Sequence, residues 1–312
     1  MAQKISQMTE QTTASMTEAG TADFLGGYTS TGGNANRKFS LSGLANYFLN
    51  KFKMTLGGSS QTVKSAIDAL NSKYLDNAGA HNAIYRGKYL GTSVTEAQWS
   101  AISSGAFTDL YIGDYWTING VNWRIAAFDY WLNCGDTNTT AHHVVIVPDT
   151  NLHSAKMNDT NITTGAYLGS DFYTGNNDNT GRADAITKVN NAFGSSHILS
   201  HREYMQNATS NGYASGGIWT DATVELMTER MVYGNAFYEN VLNGTNFPNS
   251  YSVDKSQLPL FAHEPSRITN RDTWWLRSVA SSALFSLVDY RGGASYLAAS
   301  DSRGVRPAFG IK

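Results

Sequence analysis

Cysteine is nearly absent from this chain. Cys134 is the single one, which rules out an intrachain disulfide framework and any cysteine-built zinc or iron–sulfur site. Ionic side chains are scarce too: Asp, Glu, Lys and Arg make up 15% of 312 residues, against roughly 25% in an ordinary soluble domain. With a formal net charge of -2, no basic stripe is available for a phosphate backbone, so a nucleic-acid partner is not expected. No apolar run approaches the roughly 20 residues of a membrane-spanning helix. Residues 1–22 are polar, so neither membrane insertion nor a signal peptide is expected, and assembly in a reducing cytoplasm fits. No period of 20–50 residues marks a repeat array. Polarity comes instead from Asn, Ser, Thr, 29 Gly and 17 Tyr, a composition that makes hydrogen-bonding, loop-rich surfaces.

Two parts are expected, 1–80 and 81–312. In the first, 22–28 reads as a short strand. Ser40 or Ser42 caps a helix carrying Leu44, Tyr47, Phe48 and Phe52, and 61–70 places Val63, Ile67 and Leu70 at helical spacing. So short a module buries little apolar area alone, which points to oligomerisation. The second part reads as α+β, with short strands between Asn/Gly turns. Ser93 and Glu96 form a capping box for a helix through Trp99 and Ile102. Asn119-Gly120, flanked by alternating apolar residues, predicts a two-residue hairpin placing Trp116, Ile118, Trp123 and Ile125 on one core. A buried strand is predicted over 142–148 and an amphipathic helix over 183–193 that stops at Gly194. A further helix is expected to be capped by Asp221, to carry Val224, Met227 and Met231, and to close at Gly234.

Candidate chemistry is thin. His197 and His201 have the spacing of a zinc helix, but Ile198 stands where its glutamate belongs. His142 and His143 point to opposite faces of a strand, so no metal or other cofactor is expected. Asp171, Asp221, Glu225, Glu229 and Glu264 are carboxylates with no evident pairing for glycoside hydrolysis; helix caps and solvated faces account for most of them. Nucleophile elbow, phosphate loop and dinucleotide fingerprint are all missing, and Cys134 has no basic neighbour to activate it. No catalytic residue is expected.

The tail is the specific part. Trp274-Trp275-Leu276-Arg277-Ser278 opens it and Gly304-Val305-Arg306-Pro307-Ala308-Phe309 closes it. The 25 residues between, 279–303, contain no Lys, Glu, Gln, Met, Trp or Asn. Small and apolar residues (Ala283, Phe285, Val288, Gly292, Ala294, Ala299, Ser300) alternate there with a miscellany. That miscellany is Ser282, Leu284, Leu287, Asp289, Tyr290, Arg291, Gly293, Ser295, Tyr296, Leu297, Asp301 and Arg303. The plain alternative is an ordinary loop under weak constraint. Trp274, Trp275, Arg277, Arg306 and Phe309 read as scaffold: buried anchors and hydrogen-bond donors rather than ligand contacts.

This bracketed tail, variable over 278–303, resembles the variable proteins of diversity-generating retroelements. Those elements mutate template adenines, and asparagine codons so treated give Asp, Tyr, Arg, Gly, Ser, Leu, Ala, Phe, His or Val but never Lys, Glu, Gln, Met or Trp. Upstream, Arg86-Gly87-Lys88-Tyr89-Leu90-Gly91-Thr92, Gly113-Asp114-Tyr115-Trp116, Trp123-Arg124-Ile125 and the 142–148 run look like a phage-encoded lectin-fold domain. The resemblance implies a C-type-lectin-like fold of the formylglycine-generating-enzyme variety, with the miscellany as ligand surface. It also implies a phage receptor-binding or adhesin-like protein on the virion (tail, fibre or capsid surface). Its partners would be a host cell-surface protein or glycan and, through a homotrimeric N-terminal module, other virion proteins. Asn36-Arg37-Lys38-Phe39-Ser40-Leu41 looks more loosely like phage attachment modules. The enzyme branch of the fold needs two active-site cysteines, and Glu264-Pro265-Ser266 lacks the last member of the lectin calcium motif; neither activity is expected. The rival readings are a decoration protein with no ligand and, less well supported, a carbohydrate-active enzyme.

Overall fold

Asn119 and Gly120 both adopt left-handed φ, 52° and 77°, as a tight hairpin turn demands. They join β6 (Tyr115–Ile118) to β7 (Val121–Phe128), pairing Trp116 with Trp123 and Ile118 with Val121. Trp116, Ile118, Trp123 and Ile125 are all buried. In this computed structural model the described residues are 24–28, 36–40, 45, 48, 51–56, 59–74, 76–163, 181–205, 208–210, 213–215, 218–239 and 256–312. The chain divides into two units, Met1–Leu75 and Asp76–Lys312.

Among the described residues the first unit holds two antiparallel pairs, β1 (Phe24–Tyr28) with β2 (Asn36–Ser40) and β3 (Lys53–Leu56) with β4 (Ser59–Thr62). Its helix runs over Val63–Tyr74, two residues later than the sequence spacing suggests. Ala66 is buried, whereas Ile67 and Leu70, expected to face inward, are exposed, as are Phe48 and Phe52. Ala45, Phe48 and Lys51 are helical; Leu44, Tyr47 and the proposed caps at Ser40 or Ser42 cannot be assigned, because 41–44 and 46–47 lie outside the described residues.

The second unit is mixed α/β, mostly sheet with few helices. Besides β6 and β7 its strands are β5 (Tyr89–Gly91), β8 (Val144–Pro148), β9 (His153–Lys156), β10 (His201–Met205), β11 (Ala208–Ser210), β12 (Tyr213–Ser215), β13 (Ile218–Ala222) and β14 (Val224–Leu226). The tail adds β15 (Trp274–Val279), β16 (Leu284–Val288), β17 (Ala294–Ala298), β18 (Ser302–Val305) and β19 (Pro307–Ile311). One sheet has the order β14-β19-β8-β7-β6-β5, another β17-β16-β15-β18-β9, and β10-β13 and β11-β12 are separate pairs. The tail is therefore distributed over both large sheets. β8 is apolar and buried at every position, the pattern of a strand covered on both faces.

Local chemistry explains the helices, with two corrections. The helix Glu96–Ser103 does begin in a capping box, but the pair is Thr95 and Gln98 rather than Ser93 and Glu96. The Asp221-capped helix does not form. β13 and β14 occupy that stretch, Asp221 pairs across the ladder with Arg202, and only Glu229–Tyr233 is helical, capped by Thr228 and closed by Gly234 at φ 73°. Sheet pairing to β10 and β19 overrides the helical spacing of Val224, Met227 and Met231. The helix Arg182–Phe193 stops at Gly194 and buries Ala185, Val189 and Phe193, with Ile186 at the edge of the core.

Trp275 is fully buried opposite Leu287, and its indole N–H donates to the Ala155 carbonyl at 2.9 Å. Trp275→Ala removes a large buried aromatic and orphans that carbonyl, so it is expected to cost about 3–5 kcal/mol. Urea unfolding should show a lower midpoint at unchanged slope.

Candidate functional site

The opening and closing of the tail meet in one place. β15 and β18 run parallel with Trp274 opposite Gly304, and the Gly304 N–H donates to the Thr273 carbonyl. Gly304 is required here: a Cβ would fall 1.9 Å from the Asn151 amide nitrogen, whose side chain is itself bound to Asp272 and Asn270. Arg306, 1% exposed, donates to the carbonyls of Pro148 (2.8 Å), Ile268 (3.0 Å) and Arg267 (2.9 Å), with its guanidinium 4.9 Å from the Trp274 ring centroid. Burial without a contacting carboxylate pulls its pKa down to about 10. Trp274, Trp275, Arg277 and Phe309 are buried as well, so all five scaffold residues sit in the interior.

The miscellany is placed differently. Ser282, Tyr290, Arg291, Gly293 and Tyr296 are exposed, and Leu284, Asp289, Ser295, Leu297, Asp301 and Arg303 are half-buried. Leu287 is the correction: at 1% exposure it is core and cannot serve as a ligand contact. Its strand lies between β15 and β17, and Leu287 faces Trp275 across one ladder and Ser295 across the other. Leu297 shares that face and leans on the core. On the other side, Ala283, Ala294 and Ser300 are only half-buried, so the alternation of small core residues with the miscellany is looser than the spacing implies.

The loop after β16 is built by Asp289. Its carboxylate accepts the N–H groups of Arg291 (2.8 Å) and Gly293 (2.9 Å), and Gly292 takes a left-handed φ of 90°. Tyr233 and Thr269 brace the loop from below, donating to the carbonyls of Gly292 and Tyr290. Tyr290 and Arg291 project outward together, with the guanidinium over the ring at 4.8 Å and its Nε bound to the phenol oxygen.

β17 is an edge strand, paired only with β16 among the described residues. Asp289 N–H donates to the Gly293 carbonyl and Ala299 N–H to that of Ala283, so odd-numbered residues exchange bonds with β16. The N–H and C=O of Ala294 and Tyr296 therefore point to the open side. Such an edge can receive an extended segment of another chain.

Sequence reasoning missed Phe237 and Tyr238, which are 58% and 40% exposed. The Tyr238 ring meets Tyr296 edge to face at 4.8 Å, and with Ala280 and Leu284 they line a cleft of about 240 Å³. Glu229, wholly buried, positions them by accepting the N–H groups of Phe237 (2.6 Å), Tyr238 (3.0 Å) and Glu239 (3.0 Å). The signal available in the sequence was a glutamate just after a helix cap followed by an aromatic pair, which is too common to single out.

The other candidates are occupied structurally. Asp221 binds Arg202, Glu264 accepts from Ser266, and Asp171 lies outside the described residues. Glu225 contacts Arg182 at 3.0 Å or less, yet burial pushes its pKa up to about 7. His197 stacks on Trp99 at 3.9 Å, His142 binds Asp129, and among the described residues no group of three His, Cys, Asp or Glu is arranged to hold a metal. His143 is held neutral, its pKa near 4 through burial, so its Nε2 accepts the Trp131 N–H at 3.0 Å. Burial also raises the Cys134 thiol.

Arg277 pairs with Glu203 at 2.9 Å in the interior, and Glu203 also accepts from the Trp131 indole at 3.0 Å and contacts His201 at 3.2 Å. Burial alone would raise the Glu203 pKa; the Arg277 charge and the His201 contact overcome it and hold it at about 2. A folded-state pKa below the ordinary 4.5 contributes stability that is full above pH 4.5 and is lost as pH falls toward 2. Between pH 5 and 3 the wild-type protein should therefore lose more stability than Glu203→Gln, as read by urea midpoints at each pH.

A family model described as Domain of unknown function (DUF6273) matches residues 231–312, the stretch that runs from the Glu229–Tyr233 helix through the whole bracketed tail. No curated protein and no solved structure matches the chain.

Proposed function

We propose that this chain is a phage receptor-binding or adhesin-like virion protein whose tail displays a retroelement-diversified ligand surface on a C-type-lectin-like scaffold, and that it is not an enzyme. The observation that carries the reading is the partition of the tail: the five bracket residues are buried, while every member of the miscellany except Leu287 reaches the surface. A segment copied with mutations must keep substitutable residues out of the core, since core changes commonly cost 2–5 kcal/mol and surface changes stay within about 0.5. Tyr290 and Tyr296 supply stiff amphipathic contact area, as tyrosines do in antibody loops. Phe237 and Tyr238 extend that surface with residues outside the variable stretch.

The exposed Phe52, Ile67 and Leu70 of the first unit support a role in assembly, because apolar side chains at these positions gain burial against other copies or other virion proteins. A homotrimer is the arrangement we infer, and several copies per particle would add avidity for a host protein or glycan.

The triple substitution Tyr290→Ala, Arg291→Ala and Tyr296→Ala should reduce binding of the full-length protein to host cells at least tenfold while shifting the thermal midpoint by no more than a few degrees. Leu287→Ala should do the reverse at the level of folding, costing about 2–5 kcal/mol. A triple variant that binds cells as the parent does overturns the reading. So does coding DNA with no nearby adenine-differing copy of the tail and no reverse transcriptase.

A further inference from the structure

A second pocket, about 420 Å³, shares no residue with the tail surface. It is formed by the 137–141 loop, the 199–202 segment leading into β10, and Asp221 on β13, with Lys312 at its rim. Its walls are preformed. Arg202 and Asp221 face each other across the β10–β13 ladder at 2.9 Å, and the same guanidinium holds Asp136 through two bonds of 2.7 and 3.0 Å, fastening the loop to the hairpin.

The pocket is lined by polar groups that the protein itself leaves unpaired, most of them open to solvent. The hydroxyls of Thr137, Thr139, Thr140 and Ser200, the amide of Asn138 and the second carboxylate oxygen of Asp221 have no hydrogen-bond partner among the described residues. His201, 4% exposed, lines the same pocket, and its Nδ1 is buried without a partner. Buried polar atoms are rarely left unpaired in a native protein, because each costs roughly 1–3 kcal/mol.

Charge and shape narrow the ligand. The Arg202 cation is already matched by Asp136 and Asp221, and Lys312 is exposed, so a strong anion finds little net attraction. The one aromatic ring in the lining, His201, is 4% exposed and already stacked on Trp131 at 3.9 Å, so it offers no open face to a nucleobase. Hydroxyl, amide and carboxylate groups around small apolar patches from Ala141 and Leu199 match the alternating O–H and C–H surface of a sugar. The volume, equal to about a dozen water molecules, accommodates one ring. We propose that this pocket binds a neutral sugar ring, through a site separate from the diversified tail.

Saturation-transfer NMR of the full-length protein with a panel of methyl glycosides of neutral hexoses, plus methyl glucuronide, tests this. At least one neutral glycoside should bind with a Kd of about 1 mM. The double variant Asn138→Ala, Ser200→Ala, both exposed positions, should weaken it at least tenfold with an unchanged melt, whereas Tyr296→Ala should leave it intact. The proposal is overturned if no neutral glycoside binds, if the double variant binds equally well, or if the glucuronide binds more tightly than every neutral ring. Loss of sugar binding in Tyr296→Ala also overturns it, placing the sugar on the tail surface instead.

Discussion

The tail depends on one buried guanidinium. Arg306 reaches from the closing bracket to three carbonyls, on Pro148 at the end of β8 and on Arg267 and Ile268 before the opening bracket, and lies over Trp274. Taking a cation out of water costs several kcal/mol. Three hydrogen bonds from a charged donor, at roughly 1.5–3 kcal/mol each, together with a desolvated cation–π contact of about 2 kcal/mol, are enough to offset it. Because the partners are main-chain carbonyls, the interaction constrains backbone paths rather than side-chain identities. Lysine, a point charge without the planar fork, would not span the three carbonyls.

Both ends of the segment between the brackets are thereby anchored. β16 is shielded between two neighbours and carries the apolar weight of the tail in Phe285, Leu287 and Val288, while β17 and the Asp289 loop stand at the edge. Even the exposed part is ordered by main-chain bonds: Asp289 holds its own loop, and Tyr233 and Thr269 hold it from outside the bracketed segment. Tyr290, Arg291 and Tyr296 are thereby left with little structural duty.

Beneath this surface lies a polar interior unusual for so weakly charged a chain. Glu203 joins Arg277 to Trp131 and contacts His201; Glu229 gathers three backbone N–H groups, and Ser278 links the Glu229 N–H to the Glu239 carboxylate. Buried carboxylates of this kind are costly unless paired, so each brings its partners into a defined geometry. Glu229 shows the consequence for the surface, since its bonds are what set Phe237 and Tyr238 beside Tyr296.

Local determinants were legible in the sequence. Asn119 and Gly120 specify their turn because few other residues tolerate positive φ at both positions, and Gly194 and Gly234 end their helices for the same reason. The brackets and the restricted alphabet between them marked where the tail begins and ends. What the sequence could not decide is whatever depends on a strand's neighbours. Leu287 and Leu284 are the same residue type three positions apart, and only β15 on one side and β17 on the other bury the first and leave the second at a cleft. Val224, Met227 and Met231 carry helical spacing, yet pairing with β10 and β19 makes strands of the region before Thr228. The pocket beside Arg202 joins residues more than eighty positions apart, and Tyr238 meets Tyr296 from far outside the tail. Turn geometry is set within two residues by local sterics; burial and long-range pairing are set by partners distant in the chain, and tertiary structure alone brings those together.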